Sequence, residues 1–229
     1  MSPGGIFSYM RRIFHQISNA PLGWRIYWVS TYVSFLILDI FACNYAWLVT
    51  TIKLVGIACC AIFCLRKPFD RTLFIAFIFT LAADLILACD TTSIYGLSFF
   101  CFAQLSHFSR LHRREKFITK WLVIGFGFTI IGMVMRFPVW IIAIFYAIHL
   151  VLNCYKAILI DRSIRTGYSA CAATGFCLFV CCDLCVAISY LAAIQILPVA
   201  IQPIANYLAW AFYYPSQVLI ANSVKITKI

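Results

Sequence analysis

The chain has 229 residues, of which 64% are hydrophobic and only 11% charged, and its mean hydropathy is +0.96. A soluble domain is about half apolar and about a quarter charged, so this composition excludes a soluble globular protein. The net charge of +11 does not indicate nucleic-acid binding, because the basic residues lie in short stretches between apolar runs. These runs are continuous rather than alternating, which predicts an all-α, polytopic membrane helix bundle instead of a barrel.

Residues 1–25 form a basic segment with amphipathic character. Its apolar residues recur at helical spacing on one face, with arginine and histidine elsewhere; they are Ile6, Met10, Ile13, Phe14 and Ile17. This pattern is typical of an interfacial helix that lies on an anionic leaflet. The run Asn19-Ala20-Pro21, followed by Gly23, should end that helix.

Residues 26–229 are predicted to form a single transmembrane domain of about eight helices. Eight apolar segments are long enough to cross a bilayer or nearly so. The predicted spans are 27–46, 47–65, 71–90, 94–110, 119–135, 138–158, 168–192 and 199–223.

The distribution of basic residues supports this number of spans. Sixteen of the 18 Lys and Arg residues fall in alternate segments that include both chain ends; of the other two, Arg136 lies on the opposite side and Lys53 within a span. Because cytoplasmic loops carry an excess of Lys and Arg, we predict that both termini are cytoplasmic. The expected location is a bacterial cytoplasmic membrane, with the protein inserted as a multi-pass chain.

The chain has 12 cysteines, and most of them lie inside apolar runs. Cysteine behaves there as a small hydrophobe that allows helices to pack closely. Four of them recur at helical spacing within residues 177–185, which could also indicate a metal site. We favour the packing interpretation, and predict neither a metal nor another cofactor.

Two aspartates lie in the middle of apolar spans, in similar local sequences. Asp84 lies in FIFTLAADLILA and Asp183 in FCLFVCCDLCVA, 99 positions later. A carboxylate costs several kcal/mol to place in hydrocarbon, so each is a candidate functional residue. Both spans should run in the same direction, which fits a parallel internal repeat. Gln104 and Gln217 also align in the following spans, although at an offset of 113.

Helix geometry predicts the depth of these charges. At 1.5 Å per residue, Asp84, Asp183, Asp39 and Lys53 all lie roughly 20–27 Å from the basic boundary of their spans. Charges at such depth must pair or line a wet cavity, and a common layer would allow one shared site. For Asp39 and Lys53 the spacing favours a structural ion pair over a catalytic one.

Other polar side chains in the spans have a structural interpretation beside a functional one. His107 lies near a cytoplasmic boundary, where interfacial hydrogen bonding is the ordinary role of a histidine. Tyr213 and Tyr214 could be packing residues whose hydroxyls are satisfied.

The two aspartate motifs resemble those of the lysoplasmalogenase-like (YhhN) membrane proteins. That family carries a glycine- or alanine-Asp motif midway, which AADLILA supplies at Asp84, and a serine-Asp motif late. The second motif corresponds to Asp183, with Cys182 where serine is usual. The run GLSFFCFAQLSHF resembles the family's next helix, although Gln104 and His107 stand where a His-x-x-Tyr pair is frequent.

Two further segments extend the resemblance over residues 27–223. WAFYYPSQVLIA resembles the closing helix of the family, with its tyrosine and glutamine. Lys53 corresponds to a lysine of the second span, but Leu54 replaces the usual proline. The resemblance implies hydrolysis of the vinyl ether bond of a lysophospholipid, which releases a fatty aldehyde and a glycerophospho-headgroup.

The resemblance further implies an acid/base role for Asp84 and Asp183. Protonation of the alkene carbon needs one protonated carboxylic acid, and capture of the oxocarbenium ion by water needs a second, ionised carboxylate. Residues that could orient water or bind the headgroup are Gln104, Tyr214 and Gln217. Expected partners are the lysophospholipid and membrane lipids; the oligomeric state is not predicted.

Two other functions remain open at this point. A small-solute or proton-coupled transporter would also have a repeat and midplane carboxylates. A non-catalytic lipid-binding protein is the other alternative, because the departures at Gln104, His107 and Cys182 are of the kind that accompany lost activity. A lipid-shaped tunnel closed at one end would favour the hydrolase, whereas alternate openings would favour transport.

Overall fold

The structure is a computed structural model, which describes residues 3–41, 46–66, 69–113 and 115–224. Within these ranges the chain is all-α, as predicted, with nine helices and no strand. The helices are α1 (Pro3–Ser18), α2 (Leu22–Phe41), α3 (Ala46–Cys64), α4 (Arg71–Cys89), α5 (Ile94–Leu111), α6 (Ile118–Val134), α7 (Val139–Ile164), α8 (Gly167–Ala193) and α9 (Ile201–Ala221).

Each of the eight predicted spans corresponds to one helix from α2 to α9. Among the described residues, four helices are long and apolar enough to cross a membrane by length and composition: Trp47–Cys64, Arg71–Cys89, Val139–Ile164 and Gly167–Ala193. These helices identify an integral membrane protein.

The first span was predicted about five residues too late. It was expected over 27–46, whereas α2 covers Leu22–Phe41 and begins directly after Pro21. Proline is favourable just before or in the first helical turn, and Gly23 is accommodated within the helix instead of ending α1. Residues 42–45, where the predicted span ended, lie outside the described ranges.

The predicted amphipathic helix of the N-terminal segment corresponds to α1, which packs against α8. Ile13 is buried in a small cluster with Ala170 and Cys171 of α8. Arg12 forms an ion pair with Asp161 at 2.8 Å. Other apolar residues of α1 remain exposed, including Phe7 at 78%. The apolar face is therefore divided between α8 and the surroundings of the protein.

Six helices form a closed ring. In order around the ring, α3 packs on α4, α4 on α5, α5 on α7, α7 on α8, α8 on α9 and α9 on α3. The remaining helices lie outside it: α2 packs on α3 and α9, α6 packs on α5, and α1 on α8. Several contacts recur at a spacing of four helices: α3–α4 and α4–α5 correspond to α7–α8 and α8–α9, whereas the packing of α2 on α3 has no equally extensive counterpart between α6 and α7. The recurring contacts support the predicted parallel repeat of two four-helix units.

Ion pairs gather at one end of the ring, which we call the basic end. Arg110, at the C-terminal end of α5, donates to Asp70 before α4 at 2.8 Å and to the side chain and carbonyl of Ser223 after α9. Lys156 of α7 pairs with Glu115. These contacts show that α5, α7 and α9 run toward the basic end, whereas α4 and α8 start there. The cytoplasmic location of this end stays a prediction.

Local capping explains why α4 and α8 begin where they do. The Asp70 side chain accepts a hydrogen bond from the Leu73 amide at 3.1 Å, which satisfies an amide that has no partner within the helix. At α8, Thr166 and Ser169 form a reciprocal capping box. Both caps lie at the basic end, so they set the starting point from which each helix carries its aspartate into the ring.

Candidate active site

Asp84 lies near the middle of α4 and is buried, with 9% of its surface exposed. The Tyr213 hydroxyl of α9 donates to Asp84 Oδ2 at 2.8 Å. Tyr213 is itself 4% exposed. Because α4 and α9 are not adjacent in the ring, this bond reaches across the ring interior past α3. A hydrogen bond between a hydroxyl and a carboxylate is stronger than one between neutral groups and fixes the orientation of the carboxyl.

Asp183 also lies beside a tyrosine. It lies on α8, partly buried, and its carboxyl interacts electrostatically with the side chain of Tyr146 on α7. Tyr146 is 8% exposed. The neighbouring Cys182 is buried and lies within electrostatic range of both Asp84 and Asp183. Each aspartate thus has a tyrosine from another helix beside it, and the two pairs lie in one neighbourhood.

An aromatic layer joins the two Asp–Tyr pairs. The Tyr146 ring lies 5.8 Å from that of Phe100, which lies 6.5 Å from Phe179. Phe179 in turn lies 5.6 Å from Tyr213. Among the described residues the two carboxyls share no direct hydrogen bond. The site is therefore two carboxyls whose neighbouring tyrosines are linked by a chain of aromatic rings, with Cys182 within electrostatic range of both carboxyls, and not a pair of carboxyls joined by a hydrogen bond.

Lys53 and Asp39 form the ion pair that their spacing suggested. Lys53 Nζ lies 2.7 and 3.0 Å from the two carboxylate oxygens of Asp39. The ammonium also lies 4.3 Å from the centroid of the Trp210 ring, a cation–π distance. This pair sits between α2, α3 and α9, so the expectation of one cluster of four charges is only partly met. Its link to Asp84 is indirect, through the edge-to-face contact of Trp210 with Tyr213 at 5.3 Å.

The two glutamines predicted as supporting residues are both fully buried. Gln104 accepts a hydrogen bond from Asn153 of α7 at 2.9 Å on its side-chain oxygen. Gln217 donates to Ser216 at 3.3 Å. His107 is 2% exposed and packs edge-to-face on Phe176 of α8 at 5.2 Å. These residues lie on the faces of α5 and α9 that also carry Phe100 and Tyr213, one to two turns nearer the basic end.

Tyr214 packs between helices and does not face the interior of the helix ring. Its ring stacks on Tyr32 at 6.1 Å and meets Phe35 edge-to-face at 5.5 Å. A Cβ atom at Gly56 of α3 would lie 2.5 Å from its ring, so glycine permits this close approach. The structure therefore gives the two consecutive tyrosines different surroundings: Tyr213 meets Asp84, and Tyr214 fills the contact between α2, α3 and α9.

Sequence reasoning did not identify Tyr146 and Asn153. They lie seven residues apart on α7, on the face that meets α5, and a polar stripe in an apolar helix was the available signal. Arg136, the basic residue that was predicted to lie on the opposite side of the membrane from the others, lies exposed in the turn between α6 and α7.

Comparison with known proteins places the chain in one family. The sequence model described as the YhhN family matches residues 45–224, which includes both aspartates, both tyrosine partners and the buried glutamines. Neither the curated proteins nor the solved structures gave a match to this chain.

Proposed function

The chain belongs to the YhhN family, and we propose on this basis that it is a membrane-embedded hydrolase of the lysoplasmalogenase type. The proposed reaction cleaves the vinyl ether bond of a lysolipid to a fatty aldehyde and a glycerophospho-headgroup. The observation that carries the proposal is the pair of carboxyls within the spans, buried Asp84 and partly buried Asp183, each beside a buried tyrosine of another helix in one ring.

The first chemical step needs a proton donor. A protonated aspartic acid gives its proton to the alkene carbon next to the ether carbon, and the ether oxygen stabilises the resulting oxocarbenium ion. The second aspartate is ionised and shields this cation, as the paired carboxyls of glycosidases do. An apolar aromatic wall strengthens these electrostatic interactions, because it excludes bulk solvent from the reacting atoms.

The second step consumes one water. The ionised aspartate takes a proton from a water molecule while the water oxygen attacks the oxocarbenium carbon. The product of this attack is a hemiacetal. The hemiacetal hydroxyl then returns a proton to the first aspartate while the second protonates the departing glycerol oxygen. Both carboxyls are thereby restored. Because both have tyrosine partners, the roles of acid and base are assigned to the pair and not to one residue.

The test is a panel of lysolipids given to the purified protein, with vinyl ether substrates compared with ester substrates and aldehyde as the measured product. Wild-type protein should release aldehyde from vinyl ethers only. Asp84→Asn and Asp183→Asn should each lose this activity by about 10²- to 10⁴-fold, the usual contribution of an acid/base group. If both variants stay active, the proposed mechanism is wrong.

Asp90→Asn is the matched control. Asp90 follows α4 and is exposed, and hydrogen bonds from the side chain and backbone of Thr92 hold its pKa below the usual range. It is therefore ionised at neutral pH, like the proposed base, but lies outside the ring. Its conversion to asparagine should leave aldehyde release unchanged, so a loss there would point to general damage.

The repeated packing order favours one alternative, a proton-coupled transporter, since parallel repeats and midplane carboxylates also occur in transporters. Uptake by proteoliposomes distinguishes the two functions. Solute accumulation driven by a proton gradient, without aldehyde release from any lysolipid, would favour transport.

A further inference from the structure

Four buried polar groups on the ring-facing sides of three helices have atoms without a protein partner. The unpartnered atoms among the described residues include Gln104 Nε2 and His107 Nδ1 of α5, Asn153 Oδ1 of α7 and Gln217 Oε1 of α9. All four residues are at most 2% exposed. An unsatisfied buried polar atom costs roughly 1–3 kcal/mol, so four of them near one level require a common explanation.

Helical spacing puts these atoms on the same helix faces as the aromatic layer beside Asp84 and Asp183, which we also call the aspartate layer. Gln104 lies four residues, or one turn, after Phe100 of that layer, and Gln217 lies four residues after Tyr213. Asn153 lies seven residues after Tyr146, or two turns. Since α5, α7 and α9 all run toward the basic end, the groups lie about 6–10 Å below the aspartate layer.

Two direct contacts lie at this level, and Gln217 is placed there by its helical spacing from Tyr213. Asn153 Nδ2 donates to the side-chain oxygen of Gln104. The other polar atoms of these two amide groups, Gln104 Nε2 and Asn153 Oδ1, have no protein partner. His107 lies against Phe176 of α8, the residue seven positions before Asp183. Three residues beyond His107, Arg110 closes the basic end with Asp70 and Ser223. The polar level thus lies between the Arg110 ion pair and the aspartates.

The chemistry of the free atoms identifies the ligand. Two are amide oxygens, which accept hydrogen bonds, one is an amide nitrogen that donates, and the imidazole nitrogen can do either. The oxygens of a phosphodiester only accept hydrogen bonds, so they would repel the two amide oxygens. The nearby Arg110 would not neutralise the phosphate charge, because it already pairs with Asp70. Water donates and accepts, and buried waters usually make about three hydrogen bonds to such groups.

We propose that Gln104, His107, Asn153 and Gln217 hold a cluster of bound water inside the ring. As a role that rests on the proposed function, this cluster supplies the water that attacks the oxocarbenium ion, since it lies one to two helical turns from the tyrosines beside the two carboxyls. The water itself follows from the buried polar atoms and does not depend on any activity.

Radiolytic footprinting tests the hydration directly. An X-ray pulse produces hydroxyl radicals from bound water, and these oxidise adjacent side chains, which mass spectrometry detects. His149 is the matched control, because it is 1% exposed but both ring nitrogens have protein partners, Phe145 and Trp121. Purified wild-type protein without added lysolipid should show oxidation of His107 and Phe176 well above that of His149. Equal, background oxidation of His107 and His149 would overturn the proposal.

Variants then connect the water to its site. Gln104→Leu and Gln217→Leu keep similar side-chain volume but remove the amide groups. Each should lower His107 oxidation toward the His149 level, and Asn153→Leu should do the same. If His107 stays fully labelled in all three monodisperse variants, the four groups do not form the water site. Should a variant fail to fold, the wild-type comparison of the two histidines still decides.

The same samples separate this proposal from the proposed function. If His107 is labelled but the protein releases no aldehyde, the water site is supported and the proposed hydrolase function is refuted. If the protein releases aldehyde but His107 is not labelled, the hydrolase function is supported and the water site is refuted. If both hold, the variants that lose the label should also lose kcat more than they raise KM, because water enters the chemical step and not lipid binding.

Discussion

The ion pair at the basic end provides the most quantitative prediction. The Arg110 side chain is 0% exposed and that of Asp70 is 7% exposed. Asp70→Asn keeps an oxygen that can cap α4 but removes the negative charge, so a buried guanidinium loses its counter-charge. Breaking a buried pair in this way costs about 3–5 kcal/mol in the free energy of unfolding. Asp70→Ala should cost about 1 kcal/mol more, because the cap of α4 is lost as well.

A second substitution tests the physical reason. Most of the cost of Asp70→Asn comes from the unpaired charge left behind, so adding Arg110→Met should recover much of it. Reversible unfolding in mixed detergent micelles measures the free energy for each variant, with Asp90→Asn as the exposed control that should match wild type. The reasoning is refuted if Asp70→Asn is as stable as that control, or if the double variant is less stable than Asp70→Asn alone.

Two further predictions concern the aspartate partner and the packing of α3. Tyr213→Phe removes a hydrogen bond to a carboxyl, worth about 1.5–3 kcal/mol, so kcat/KM for aldehyde release should fall about 10- to 150-fold. Tyr190→Phe, on the exposed side of α8, should match wild type, and an equal loss in both variants would contradict the proposed role. Gly56→Ala places a methyl group 2.5 Å from the Tyr214 ring and should destabilise the protein by about 1–3 kcal/mol. Gly127→Ala, with no atom within 4 Å of its added methyl, should be neutral or stabilising in a thermal unfolding assay, and a similar loss at both glycines would show that crowding is not the cause.

The candidate site was only partly predictable from its local sequence. Asp84 and Asp183 were identified because a carboxyl in an apolar span is costly wherever the helix packs, and Lys53 was assigned to Asp39 from depth and spacing. Their tyrosine partners could not be paired in this way. Tyr213 and Tyr214 are adjacent in sequence and chemically identical, and only the rotation of α9 directs one toward Asp84 and the other toward α2 and α3.

The number of helices and their alternation were determined by the sequence alone, because hydropathy and charge act along a single segment and need no partner. The family was also predictable, since its motifs are local strings. The closed ring, the two Asp–Tyr pairs and the level of unpartnered amides were decided by the tertiary structure. Such features depend on which helix lies beside which, and in a uniformly apolar chain many helix faces are equally able to pack until the few polar groups find their partners.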